Sequence, residues 1–97
     1  MTAAATYRVQ GRVVLRRIGE DRLLVPVAGG VARENCVFPI NETGEFIWDC
    51  LRKGRTLDET AAALAAEFAV APEAALADCR EFAGRLLSQG LIAEAPP

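Results

Sequence analysis

The chain has no histidine, one methionine, one tryptophan and one tyrosine among 97 residues. Without histidine, the usual general base near neutral pH and the usual partner of a nucleophilic serine or cysteine is missing. The three cysteines, Cys36, Cys50 and Cys79, stand at spacings that match neither a C-x-x-C redox pair nor a zinc knuckle. Two of them fall in phase with apolar helix positions, so they read as small buried hydrophobes. A glycine-rich phosphate loop, a run of basic residues and an internal repeat are all lacking. No apolar run approaches the roughly 20 residues of a membrane span, and the first six residues lack the charged-then-apolar character of a secretory leader. The expectation is a cytoplasmic protein that uses no cofactor or metal and acts through shape.

What is present is enough apolar material for one core, about half of all residues, and the length of one small domain. A single domain over 1–97 is expected, with a core from about 12 to 92 and loose tails at 1–6 and 94–97. Charge is uneven. Residues 1–55 hold nine Arg/Lys against six acids, whereas 56–97 hold only Arg80 and Arg85 against seven acids.

Residues 12–18 (RVVLRRI) and 22–27 (RLLVPV) read as a hairpin turning at Gly19-Glu20-Asp21, with Leu23, Val25 and Val27 on one face. Residues 28–33, with adjacent glycines, read as a loop, and 36–40 (CVFPI) as a third strand whose Cys36, Phe38 and Ile40 share a face. The simplest sheet from these is an antiparallel meander. Pro26 and Pro39 each remove one backbone donor from its ladders.

At Asn41 the hydrophobic period changes from two to about 3.6. Asn41 is a good N-cap, and Phe46, Ile47, Cys50 and Leu51 form the apolar face of a helix over 42–53 that Gly54 stops. Trp48 in that helix reads as a packing residue and not as a stacking platform. Thr56 and Glu59 have capping-box spacing, and Leu57, Ala61, Leu64 and Phe68 make the stripe of a second helix. Pro72 suits the first turn of a third, with Leu76, Cys79, Phe82, Ala83, Leu86 and Leu87 buried and Gly90-Leu91 as its stop. The fold class is therefore α+β, a winged helix-turn-helix-like arrangement of a three-stranded antiparallel sheet followed by three α-helices.

A helix-turn-helix raises DNA binding as a function. Electrostatics weighs against nucleic acid, because residues 73–89 of the would-be recognition helix carry three acids against two arginines and the second helix has no basic residue. Arg12, Arg16, Arg17 and Arg22 on the hairpin keep it as the alternative, and a structural or dimerisation module joined through an exposed sheet edge as the third reading.

Three segments, INETGEFIWDCL, KGRTLDETAAALAAEFAV and DCREFAGRLLSQGLI, together resemble the PqqD family, whose fold is also called the RiPP recognition element after the ribosomally synthesised and post-translationally modified peptides it serves. Asn41, Thr43-Gly44, Ile47-Trp48, Thr56, Phe68-Ala69-Val70, Asp78, Phe82 and Gly90-Leu91 keep register with it, and LLVPV at 23–27 is similar to one branch. The resemblance implies a non-catalytic adaptor that binds the leader of a precursor peptide between the third strand and the third helix. The leader is then delivered to a modifying enzyme, often a radical S-adenosylmethionine enzyme. Strand addition suits such a role, since main-chain bonds give affinity and alternate side chains give specificity. Carried onto this chain, the site is Val37, Phe38, Pro39 and Ile40 on the strand and Leu76, Cys79, Arg80, Phe82, Ala83 and Leu86 on the helix. Pro39 departs from the family's pattern, and the direction of its nitrogen decides which ladder loses a bond.

Overall fold

The structure is a computed structural model that describes residues 5–28, 31–32 and 37–95. Six strands and three helices follow one another: β1 (Tyr7–Val9), β2 (Arg12–Ile18), β3 (Asp21–Ala28), β4 (Val31–Ala32), β5 (Phe38–Ile40), α1 (Glu42–Arg52), α2 (Leu57–Phe68), α3 (Pro72–Ser88) and β6 (Ile92–Glu94). The central sheet is antiparallel, with β3 between β2 on one side and β4 and β5 on the other. The fold class read from the sequence is the one observed, three helices following an antiparallel sheet. β4 is an addition within the segment expected to be loop, and Cys36 lies outside the described residues.

The two prolines fix the phase of the ladders on both sides of β3. Opposed residues in an antiparallel pair alternate between those that exchange both N–H···O bonds and those that exchange none. Pro39 faces Leu23 and has no N–H, so this pair is the unbonded kind, and Arg22 with Ile40 and Leu24 with Phe38 carry the bonds. Pro26 faces Val13 and obeys the same rule on the β2 side, where Arg12, Val14 and Arg16 bond to Val27, Val25 and Leu23. Both prolines reach the same phase independently. The nitrogen of Pro39 therefore points away from β3, to the outer edge of β5, and that of Pro26 falls where β3 changes partner from β5 to β4.

Facing positions share a side of the sheet, so Val13, Leu15, Leu24, Phe38 and Ile40 look toward the helices. Leu24 and Phe38 are buried there with Ile47, Trp48, Leu51, Leu57, Leu64, Cys79, Phe82 and Leu86. Leu23, Val25 and Val27 do share a face, but it is the one turned away from this core. Three consecutive apolar residues at 23–25 give both faces of β3 apolar character, which period-two reading cannot resolve.

The helices end where local chemistry says they should. Thr56 and Glu59 form the reciprocal capping box of α2. After α3, Gly90 adopts positive φ, and the amides of Gly90 and Leu91 donate to the carbonyls of Leu87 and Leu86, a Schellman closure. Gly54 repeats this after α1. Trp48 is buried in the core, as expected of a packing residue.

β1 and β6 pair antiparallel, a two-stranded element apart from the main sheet. The Ala95 amide donates to the Thr6 carbonyl, and Gln10 donates to Leu91. Thr6, Glu94 and Ala95, expected in loose tails, are thus held by main-chain bonds, while 1–4 and 96–97 lie outside the described residues. Among the described residues no helix is long and apolar enough to cross a membrane.

Candidate functional site

β5 ends at Asn41, and one residue does two jobs there. Its extended backbone closes the strand, and its side-chain oxygen accepts from the Gly44 amide at 2.8 Å and from the Thr43 hydroxyl at 2.8 Å. The Asn41 carbonyl accepts from the Glu45 amide at 2.9 Å. Strand end and helix start are consequently locked together. Asn41→Ala should cost about 1 kcal/mol of stability and weaken binding at β5 through lost preorganisation; a lower melting temperature with unchanged leader affinity would break that link.

Beside this junction an open cleft of about 360 Å³ separates β5 and the first turn of α1 from α3. Pro39 and Ile40 form one wall, and Phe82 faces them from α3. Gly44 forms the floor, since a Cβ added to it would stand 3.1 Å from Phe82 Cε1 and 3.2 Å from both Ile40 Cβ and Asn41 Oδ1. Beneath, Phe38 meets Phe82 edge to face at a centroid distance of 6.0 Å. The Arg85 guanidinium lies 4.9 Å from the centroid of the Phe38 ring and also lines the cleft, a cation–π contact that places a positive charge at the mouth. Asp78 and Glu81 line the same helix wall.

Of the residues expected on the strand, Pro39 and Ile40 line the cleft, Phe38 supports it at 7% exposure, and Val37 is 40% exposed at the edge. On α3 only Phe82 among the expected residues faces the cleft. Cys79, Ala83 and Leu86 are fully buried in the core, Leu76 packs partly buried against it, and Arg80 is exposed without lining the cleft. The sequence reading did not single out Asp78, Glu81 and Arg85 for this wall. With Phe82 they recur at i, i+3, i+4 and i+7, a stripe turned slightly from the apolar one, with Phe82 common to both. The polar flank of that amphipathic helix was the available signal.

Burial, then the negative charge of Asp78 and the neighbouring Cys50, which itself ionises only above its ordinary value, push the Cys79 thiol up to about 11. Burial first, then Asp49 among the nearby charges, raises Cys50 too. Both thiols are free and stay protonated near neutral pH, the unreactive form. Among the described residues no group of three or more His, Cys, Asp or Glu side chains could hold a metal ion.

An antiparallel sheet open along β5, a cleft between that edge and the last helix, and a helix pair behind it define an α+β domain of the RiPP-recognition type. The chain belongs to the family described as coenzyme PQQ synthesis protein D (PqqD), whose model matches residues 26–92. The fold is also similar to that of TbiB1, solved in complex with the TbiA(beta) leader peptide. That match has a TM-score of 0.70 and 23% sequence identity, over 93% of this chain and 99% of that one. No curated protein sequence matches the chain.

Proposed function

We propose that this chain is a non-catalytic adaptor that receives the leader of a ribosomally made precursor peptide as an added strand along β5 and presents it to a modifying enzyme in the cytoplasm. A radical S-adenosylmethionine enzyme is the partner class that family membership suggests. The observation that carries this reading is the pairing of an open β5 edge with an adjoining cleft of apolar walls and charged rim. Main-chain groups would hold the ligand, and Ile40, Gly44, Phe82 and Arg85 would select its alternate side chains.

The ladder phase sets how many bonds that edge can offer. Within β5 the outward main-chain groups are those of Pro39, which supplies a carbonyl without an amide, and the same alternation carried one step before the strand makes Val37 the other outward position. The next carbonyl, that of Asn41, is already engaged by α1. The leader therefore finds both groups of Val37 and the carbonyl of Pro39, a short ladder that leaves most selectivity to side chains. The missing donor also discourages indiscriminate edge pairing.

Pro39→Leu restores the outward amide without touching a bond to β3. One added hydrogen bond is worth about 1 kcal/mol net, roughly a fivefold gain in affinity for candidate leader peptides. Self-association is the competing outlet for the same donor. A binding titration run beside light scattering checks both, and a variant that neither binds leader more tightly nor associates would reject strand addition at β5.

A further inference from the structure

The other edge of the sheet is longer and better supplied with main-chain groups than the edge at β5. β2 spans seven residues, and because Arg12, Val14 and Arg16 are the positions bonded to β3, the amides and carbonyls of Val13, Leu15 and Arg17 point outward. Among the described residues nothing pairs with them. On its helix side this edge borders a second cleft, of about 700 Å³, whose apolar lining is Val13, Val14, Leu15, Phe46, Trp48 and Phe68. Phe46 and Phe68 meet edge to face at 5.6 Å, both only partly buried.

The two faces of β2 differ in charge. Toward the helices, Arg17 and Arg22 are both held by Glu45, and the Asp49 carboxylate is shared by Arg52 and Lys53. Glu42 and Glu67 also line that cleft, where four carboxylates with Glu45 and Asp49 stand against three arginines, Arg12, Arg17 and Arg52, so the side facing it disfavours acids and accepts apolar side chains. By register the opposite face carries Arg12, Val14, Arg16 and Ile18, of which Arg12 and Val14 also border the cleft at its rim. Arg12 and Arg16 are exposed and make no ion pair among the described residues, and Ile18 is 62% exposed.

From this division we infer that β2 is a second strand-addition site, whose occupant is an extended segment of a partner protein that alternates apolar with acidic residues. The apolar positions enter the cleft against Val13, Leu15 and Phe68, and the acidic ones lie across from Arg12 and Arg16 on the outer face. A second copy of this chain fits poorly. Two-fold pairing about Leu15 would set Arg16 diagonal to both Arg16 and Arg12 of its mate, at about 7–8 Å, a like-charge arrangement. Duplex DNA could contact the two arginines but would leave the cleft and the main-chain groups unused. Since β2 and β5 lie on opposite sides of β3, both edges can be filled at once.

The test uses a synthetic peptide of alternating valine and glutamate long enough to span β2, added to the isotopically labelled protein. Binding should slow amide exchange at Val13, Leu15 and Arg17 and leave Val37 unchanged. Arg12→Glu combined with Arg16→Glu should weaken binding at least tenfold and admit the valine–lysine peptide instead. Both positions are exposed, so the variant remains folded, and leader binding at β5 serves as the independent control. The inference is overturned if the three amides gain no protection, if the double variant binds the glutamate peptide as before, or if random duplex DNA displaces it. Protection of the same amides without peptide, together with a mass that rises with concentration, would assign the edge to a second copy and overturn it as well.

Discussion

Phe82→Ala is expected to lower the unfolding free energy by about 3–5 kcal/mol, the range for emptying a core site of an aromatic ring, and to abolish leader binding. Phe82 is 8% exposed, stands edge to face with Phe38, and is the one α3 residue shared by the core and the cleft wall. Its loss leaves a void between β5 and α3 and frees Phe38, whose ring also holds Arg85. Urea denaturation measures the first effect. Phe82→Leu, which keeps most of the volume and should cost less than about 1.5 kcal/mol, keeps the second measurable in a folded protein. Full leader affinity in the leucine variant would show that the edge-to-face pair does not shape the cleft.

Gly44→Leu should close the cleft from below. The backbone there is ordinary helix, so conformational strain is not the obstacle. The obstacle is space, since the first added carbon already stands 3.1 Å from Phe82 and 3.2 Å from Ile40, and the remaining leucine carbons have only the cleft to enter. Overpacking of this kind costs about 1–3 kcal/mol of stability. Leader affinity should fall by about a hundredfold, equivalent to roughly 2.7 kcal/mol. Gly44→Ala is the calibrating variant. It gains up to about 1 kcal/mol in helix propensity and loses by crowding Phe82, so its melting temperature reports how far that ring can yield. A leucine variant that still binds leader at wild-type affinity would place the ligand elsewhere on β5.

The helices were legible because their boundaries are written in adjacent residues. Asn41, the Thr56 and Glu59 pair, Pro72 and the glycines at 54 and 90 each act within a turn of their own position, and each acts in the structure as its chemistry dictates. The sheet was legible in outline and not in orientation, because Leu23, Leu24 and Val25 carry apolar character onto both faces of β3 and only the helices decide which face is covered. β1 and β6 escaped notice for a different reason. Three residues of YRV and three of IAE are too few to show alternation, and their pairing is visible only once the intervening chain has folded.

The candidate site divides along the same line. Pro39, Ile40 and Phe82 could be placed from the sequence, since the strand edge and the helix stripe are periodic features. Asp78, Glu81 and Arg85 could not, because their importance comes from a rotation of α3 that turns part of its polar flank toward β5. Apolar periodicity finds the core face of a helix, and Cys79, Ala83 and Leu86 lie on that face, buried in the core and not among the residues lining the cleft. Pro39 is the instructive residue. Its presence in a strand was evident at once, but the direction of its nitrogen required the register with Leu23.

The clasp of β1 on β6 has a consequence for the order of events in time. It joins Tyr7 to Glu94 across almost the whole chain through only three residue pairs. Contacts so distant in sequence form late, because the chain between them must first be ordered, and so few bonds open before the larger sheet does. Anything tethered at either end of this domain is therefore attached to its last-formed and first-released part, while β3, with a strand on each side, holds the two outer edges of the sheet in place.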